Sequence, residues 1–545
     1  MRHPMMAALK IAFWLAVIAT AVVRPNLANA AWRQLERAAA RFARRPVACW
    51  LGLGLLVLLA RAALLPLWPA PQPVIYDEFG YLLQADTFAA GRLTNPPHPL
   101  WPFFESVYIL QQPTYNAKYP PGQGLVLALG QRLFGDPWFG VWVSCGALMA
   151  ALCWALQGWL PASWALFGGF LALPLCLFSY WMDSYWGGAV AAAGGALILG
   201  SYARIVRRRR AAFAWLMGVG LVVLALTRMY EGLLFAAPFL VALLLRCRSL
   251  RVWAPIALVL AAGAAFTLQY NATVTGHATR LPYMEYQRQY GYIPLFNIQP
   301  ISPAKTYRNR SVANVFLTWE YGKWKRSRSW HLLVDRLEDW GRFLALLAQS
   351  APSMLVFAGL LWTTARDRRM FLPLFSLGAV FLGSFFQIVY FSHYASPATA
   401  ALLLLLVQSF RHLRHIRWPA ANAGRALCRA IPAATLVLLS VSQGARLYRQ
   451  ETIEATKPVN ARRAKVESRL HDQHGDSRHL IVVRYTGTQD PHEEWVYNRA
   501  DIDASDVVWA HDMGAEEDRK LIDYFKDRAV WLFLPDADPE SLAPY

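Results

Sequence analysis

VIYDEFGYLLQADTFAAGRL, residues 74–93, is the stretch whose reading decides the rest. It follows closely on a long apolar run and sets two adjacent carboxylates, Asp77 and Glu78, just past the end of that run. The spacing then predicts a short amphipathic helix. Asp77, Tyr81 and Gln84 fall at i, i+4 and i+7 on one face, with Phe79, Leu82 and Leu83 on another. Beside a membrane span, such a helix lies along the interface rather than across it. Its acids then sit at the level of a lipid head group. A plain structural role competes for both residues, because carboxylates in a first turn satisfy free N–H groups and the helix dipole.

Working outward, the composition bounds the class. Of 545 residues, 56% are hydrophobic and only 16% charged, against roughly 25% charged in soluble domains. Repeated apolar runs, many of about 18–22 residues, make this a multi-span helical membrane protein. The chain holds 54 basic and 34 acidic residues, a net +20. The arginines stand in short clusters between apolar runs, which is how membrane topology is set rather than how nucleic acid is bound. Cys49, Cys145, Cys153, Cys176, Cys247 and Cys428 all lie in or near apolar runs, so there is no disulfide framework and no CxxC pair.

The runs place spans at about 46–68, 138–160, 162–180, 189–205, 212–227, 233–245, 253–270, 346–363, 371–390, 398–410 and 431–441. That is about eleven. An apolar helix at 5–23 precedes a basic stretch (Arg33, Arg37, Arg41, Arg44, Arg45), and whether it crosses, or is cleaved after 27–30, stays open. With this count every short Arg-rich loop falls on one side. Two long loops (69–137 and 271–345), three short polar connections and the tail fall on the other. The domains follow as 1–45, a transmembrane domain over 46–445, and a tail over 446–545. Strands at 479–485, 506–510 and 529–535 with a helix at 515–527 give the tail a small α/β fold. Residues His492, Glu493 and Glu494 are adjacent, share no face, and read as surface.

Four segments, in order and on one side, carry a resemblance: YDEFGYLLQA (76–85), KYPPGQGLVLALG (118–130), MDSYWGG (182–188) and TRMYEG (227–232). The chain resembles the GT-C superfamily of membrane glycosyltransferases, in the branch of protein O-mannosyltransferases, lipid A aminoarabinose transferases and rhizobial core-sugar transferases. The likeness covers roughly the first half by motif and the rest by topology. Where the family carries HPP, this chain has Tyr119-Pro120-Pro121, so no role of that histidine carries over.

The resemblance implies an all-α polytopic protein of the bacterial inner membrane, with its active site and tail domain on the extracytoplasmic side. It implies transfer of a hexosyl- or pentosyl-type sugar from a polyprenyl-phosphate donor to an extracytoplasmic lipid, glycan or protein by inverting displacement. The acceptor hydroxyl then needs a base, for which a nearby carboxylate serves. Asp77 is the expected base, Glu78 its neighbour, and Asp183 a second acid. The departing phosphate needs cations rather than an acid: Lys118, Arg228 and Arg61, with Arg280 and Arg288 behind them. Tyr81, Tyr119, Tyr230, Glu231 and His393 are expected to position substrate. Bland readings stand beside these: Arg228 and Glu231 as a helix-surface pair, Asp183 as a cap, His393 as part of an aromatic belt. No cofactor is required, and Asp77, Glu78 and Asp183 would hold a divalent ion only if they converge. The alternative is a transporter or flippase of a lipid-linked sugar. Span interiors nearly free of charge speak against it.

Overall fold

In a bilayer an apolar run can satisfy its own backbone polar groups only as a helix or a closed barrel, and here each run is a helix. The computed structural model describes residues 2–208, 210–303, 305–417, 422–450, 459–486, 494–537 and 541–545. The expected spans correspond to helices Pro46–Leu64, Trp138–Gln157, Ala162–Phe178, Ala189–Arg208, Ala211–Ala225, Met229–Arg246, Leu250–Thr275, Ala351–Ala365, Phe371–Ser384, Thr399–Arg414 and Ala423–Gln450. Among the described residues, six helices are long and apolar enough to cross a membrane alone. The pair His331–Ala348 and Ala351–Ala365, bent by 110°, makes a seventh if taken as one span. The count of eleven is thus matched helix by helix, while length supports six or seven full crossings. The first helix, Arg2–Val23, turns at Ala28, in left-handed backbone, into the basic amphipathic helix Asn29–Ala43.

The two long connections are more helical than a loop reading suggests. The first contains Tyr76–Ala89, the expected amphipathic helix, and Pro121–Phe134, which starts at the second proline of KYPP. The second contains Pro282–Tyr290, Arg310–Asn314, the π-helical turn Val315–Glu320, Tyr321–Ser327 and His331–Ala348. The two are tied together: Thr114 Oγ1 donates to the Val274 carbonyl (2.8 Å), and Gln289 Nε2 to that of Gln112 (2.8 Å).

The tail is α/β, with the three expected strands. They run parallel in the spatial order Val507–His511, His479–Val483, Ala529–Leu534, and a fourth, Ser541–Pro544, pairs antiparallel at the edge. Helix Val459–His474 was not foreseen. Its Leu470 packs with Ile481, Trp495, Trp509 and Phe533 in a core of its own. Glu494 corrects the surface reading: it is 3% exposed and accepts from Tyr485 Oη (2.6 Å) and from the N–H groups of Trp495 and Val496. His492 and Glu493 lie outside the described residues.

The tail sits against the first long connection, at the same end of the helical domain as both. Phe79 stacks flat on Tyr497 (centroids 4.0 Å apart, 4° between planes). Asp86 accepts from the Ala500 N–H (2.9 Å), Tyr115 Oη donates to the Asn498 carbonyl (3.0 Å), and His98 meets Asp503 (3.1 Å). The amphipathic helix is therefore packed on two sides and does not simply float on an interface.

Candidate active site

The site begins with the way its helix starts. Ile75 is extended, and the carboxylate of Glu78, third residue into the helix, reaches back to the N–H groups of Val74 (2.5 Å) and Ile75 (3.1 Å). That is half of a capping box. The other Glu78 oxygen takes the N–H of Tyr185 (3.0 Å), in the MDSYWGG connection. Burial pushes the Glu78 carboxyl up to about 7, with the three N–H groups acting in the opposite sense. Glu78 is 2% exposed and ties two connections together; its geometry is that of a lock, and the capping alternative describes it.

Asp77, one residue earlier, is half-buried and turns to KYPP, where Tyr119 Oη donates to its Oδ1 at 2.6 Å. The face expected from spacing is the face found. Asp77 takes the Tyr119 hydroxyl, Tyr81 stacks on the Tyr119 ring (4.6 Å), and Gln84 Nε2 donates to the Tyr119 carbonyl (2.7 Å). Gly80 makes this approach possible, since a Cβ there would lie 2.9 Å from that ring.

Lys118 precedes Tyr119 and points into a cage of tyrosines. Its Nζ lies 3.2 Å from the ring centre of Tyr108, 4.7 Å from Tyr283, 5.3 Å from Tyr286 and 5.5 Å from Tyr119. Such rings attract a desolvated ammonium. Burial pushes Lys118 down to about 8, with Glu320 and Asp77 acting in the opposite sense. Two of the cage tyrosines come from Pro282–Tyr290, so the second long connection completes what the first begins.

TRMYEG joins through backbone. The Gly122 N–H donates to the Leu226 carbonyl (2.8 Å), and a Cβ on Gly122 would lie 2.6 Å from that oxygen. This brings Arg228 to the other side of Pro120, its guanidinium 4.0 Å from the ring centre of Tyr394. Two narrow crevices flank Pro120. One is lined by Tyr81, Trp186 and Arg228. The other is lined by Lys118 and Tyr283 and by Leu226, Met229 and Thr267 of the apolar helices.

No protein-family profile and no curated protein matches this sequence. Among solved structures, the crystal structure of ArnT from Cupriavidus metallidurans in the apo state matches with a TM-score of 0.51 and 15% identity. The match covers 88% of this chain and 93% of that one. The chain shares the fold of that ArnT structure. The four segments quoted from the sequence meet at one end of the helical bundle, with Asp77, Tyr119, Lys118 and Arg228 around one proline.

The remaining expected residues take other places in the fold. Arg61, 0% exposed, pairs with Asp183 (3.3 Å) and donates to the carbonyls of Trp68 (2.6 Å) and Pro69 (3.3 Å), between the rings of Trp68 and Trp138. It is therefore spent on holding MDSYWGG to the end of the first span and cannot meet a phosphate without that pair opening. Arg280 and Arg288 both hold Glu285, at 3.1 and 2.5 Å. Tyr230 Oη donates to the Gly383 carbonyl (3.0 Å), and Glu231 accepts from Gln387 Nε2 (2.9 Å), so both tie their helix to Phe371–Ser384 and the connection after it. His393 is 2% exposed and packs edge-on against Trp186 (4.2 Å). Burial beside Arg228 holds its imidazole well below the usual range, hence neutral. The three acids expected to share any divalent ion do not converge, and no group of three metal-ligating side chains is found among the described residues.

Glu320, Tyr108, Tyr283 and Tyr286 belong to the site and were not singled out. A signal was available for Glu320, the single acid in the aromatic and basic stretch 315–328. The tyrosines carry none, because only the fold brings 108, 283 and 286 to Lys118.

Proposed function

We propose that the protein is an integral-membrane glycosyltransferase that moves a sugar from a polyprenyl-phosphate donor to an acceptor hydroxyl. The observation that carries this reading is the Lys118–Tyr119 dipeptide. It places a buried cation and the hydroxyl that orients the Asp77 carboxylate on consecutive residues. Asp77 takes the proton of the acceptor hydroxyl as it attacks the anomeric carbon, and the configuration there inverts. Lys118 and Arg228 meet the negative charge growing on the departing phosphate. Lys118 stands beside Leu226 and Met229 of the apolar helices, which fits a donor whose phosphate is attached to a hydrocarbon chain. Glu78 and the Arg61–Asp183 pair hold the connections in register. The resemblance further suggests an acceptor and a site on the extracytoplasmic side of a bacterial inner membrane. The full-length protein, reconstituted with polyprenyl-phosphate sugars and envelope lipid acceptors, is expected to form a glycoside, read by mass spectrometry. Movement of the lipid across the bilayer with no glycoside formed would favour a flippase instead.

Two results are expected along the way. Tyr119→Phe keeps the ring stacked on Tyr81 but removes a hydrogen bond to a charged group, worth about 1.5–3 kcal/mol. Turnover should fall roughly 10- to 100-fold with donor affinity little changed. Lys118 carries its charge below about 8 and loses it as pH rises. Binding of undecaprenyl phosphate should therefore weaken above pH 8. In Lys118→Gln it should be weak at every pH and lack that decline. A wild-type profile that stays flat through pH 9 would remove Lys118 from the donor site.

A further inference from the structure

We propose that Glu320 is a resident counter-anion, which balances Lys118 while the donor site is empty and gives way when the donor phosphate arrives. This rests on reading Lys118 as the cation that holds that phosphate.

Three observations carry it. First, Lys118 is 5% exposed, yet among the described residues no carboxylate forms a direct ion pair with it. Asp77 and Glu320 both act on it from a distance. A buried ammonium left in that state is costly unless an anion completes it. Asp77 is held by the Tyr119 hydroxyl; Glu320 is the counter-charge with freedom to move.

Second, the two glutamates of the site are held very differently. Glu78 accepts three backbone N–H groups between 2.5 and 3.1 Å. Glu320 accepts one hydrogen bond among the described residues, a 3.4 Å contact from Tyr108 Oη. It stands at the end of a π-helical turn, Val315–Glu320, a wide and infrequent geometry concentrated at functional sites.

Third, Tyr108 links the two charges. Its ring lies under the Lys118 ammonium and its hydroxyl meets Glu320. Its backbone is left-handed (φ 67°), unusual for tyrosine. The Tyr108 N–H donates to the Tyr286 hydroxyl (2.8 Å), which helps hold it there. Residues fixed in such conformations cluster at ligand clamps. An anion seated over the Tyr108 ring takes Lys118 and repels Glu320 at once.

A site whose competent form is only partly populated binds with affinity reduced by that fraction. The test uses the full-length protein in detergent micelles with decyl phosphate as probe, titrated by calorimetry. Glu320→Gln should bind roughly ten-fold tighter than wild type, since a like charge beside an anion site is removed. Glu320→Asp, which draws the carboxylate back, should bind tighter by a smaller factor. Tightening is a sign that damage to the fold does not produce. If Glu320→Gln does not fold, Glu320→Asp decides by the same criterion. Unchanged or weaker binding in the Glu320 variants, with Lys118→Gln still losing the probe, overturns the counter-anion and leaves Lys118 in place. Normal probe binding by Lys118→Gln overturns the donor-site reading itself.

Discussion

Asp77→Asn is expected to lower sugar transfer by about 10²–10⁴-fold while leaving folding and donor binding intact. Asparagine has the same outline and still presents a carbonyl oxygen to the Tyr119 hydroxyl, which lies 2.6 Å from Oδ1 in the native protein. What it cannot do is accept a proton from the attacking hydroxyl. The neighbouring Glu78→Gln should behave in the opposite way. Its carboxylate is committed to Val74, Ile75 and Tyr185, and an amide NH₂ would face N–H donors that it cannot accept. That variant should lose thermal stability before it loses turnover per folded molecule. The measurement is glycoside formed per folded protein, with decyl phosphate binding as the control. Normal transfer by Asp77→Asn would remove it as base and turn attention to Glu320, the other carboxylate near Lys118.

The second large effect is on stability. Arg61→Met should destabilise the protein by about 3–5 kcal/mol, because it removes the cation that faces Asp183 in a nearly closed site. The hydrogen bonds from Arg61 to the carbonyls of Trp68 and Pro69 go in the same step. Adding Asp183→Asn to Arg61→Met should recover part of the loss, since removing a whole pair costs less than removing half. Thermal unfolding in detergent reads all three variants. Asp183→Asn decides between the two roles open to that acid. A loss of stability matching the loss of transfer fits an anchor. Full stability with no transfer would restore Asp183 to the chemistry.

What was legible in the sequence is what has a period or a pattern. The i, i+4, i+7 face of Asp77, Tyr81 and Gln84 emerged because a helix fixes those directions, and all three reach Tyr119. The strands of the tail emerged from short apolar runs between turn residues. Helix Val459–His474 did not, being too polar to show a stripe. Pairing across distance was hidden as well. Arg61 and Asp183 stand 122 residues apart, and each alone looks like a site residue, an unusual charge beside an apolar run. Together they cancel. Glu320 was masked by local geometry: a π-helical turn breaks the 3.6-residue period on which face arguments rely.

The stack of Phe79 on Tyr497 bears on how the molecule comes into being. The helix carrying Asp77 is translated early, whereas the tail residues that back it, such as Ala500 against Asp86, follow 414 positions later. At ordinary elongation rates that interval is roughly 20–80 s. For that time the nascent chain holds Asp77 on a helix lacking one of its two supports. Completion of the packing around Asp77 is thus a late event in biogenesis, fixed by the arrival of the tail rather than by insertion of the spans.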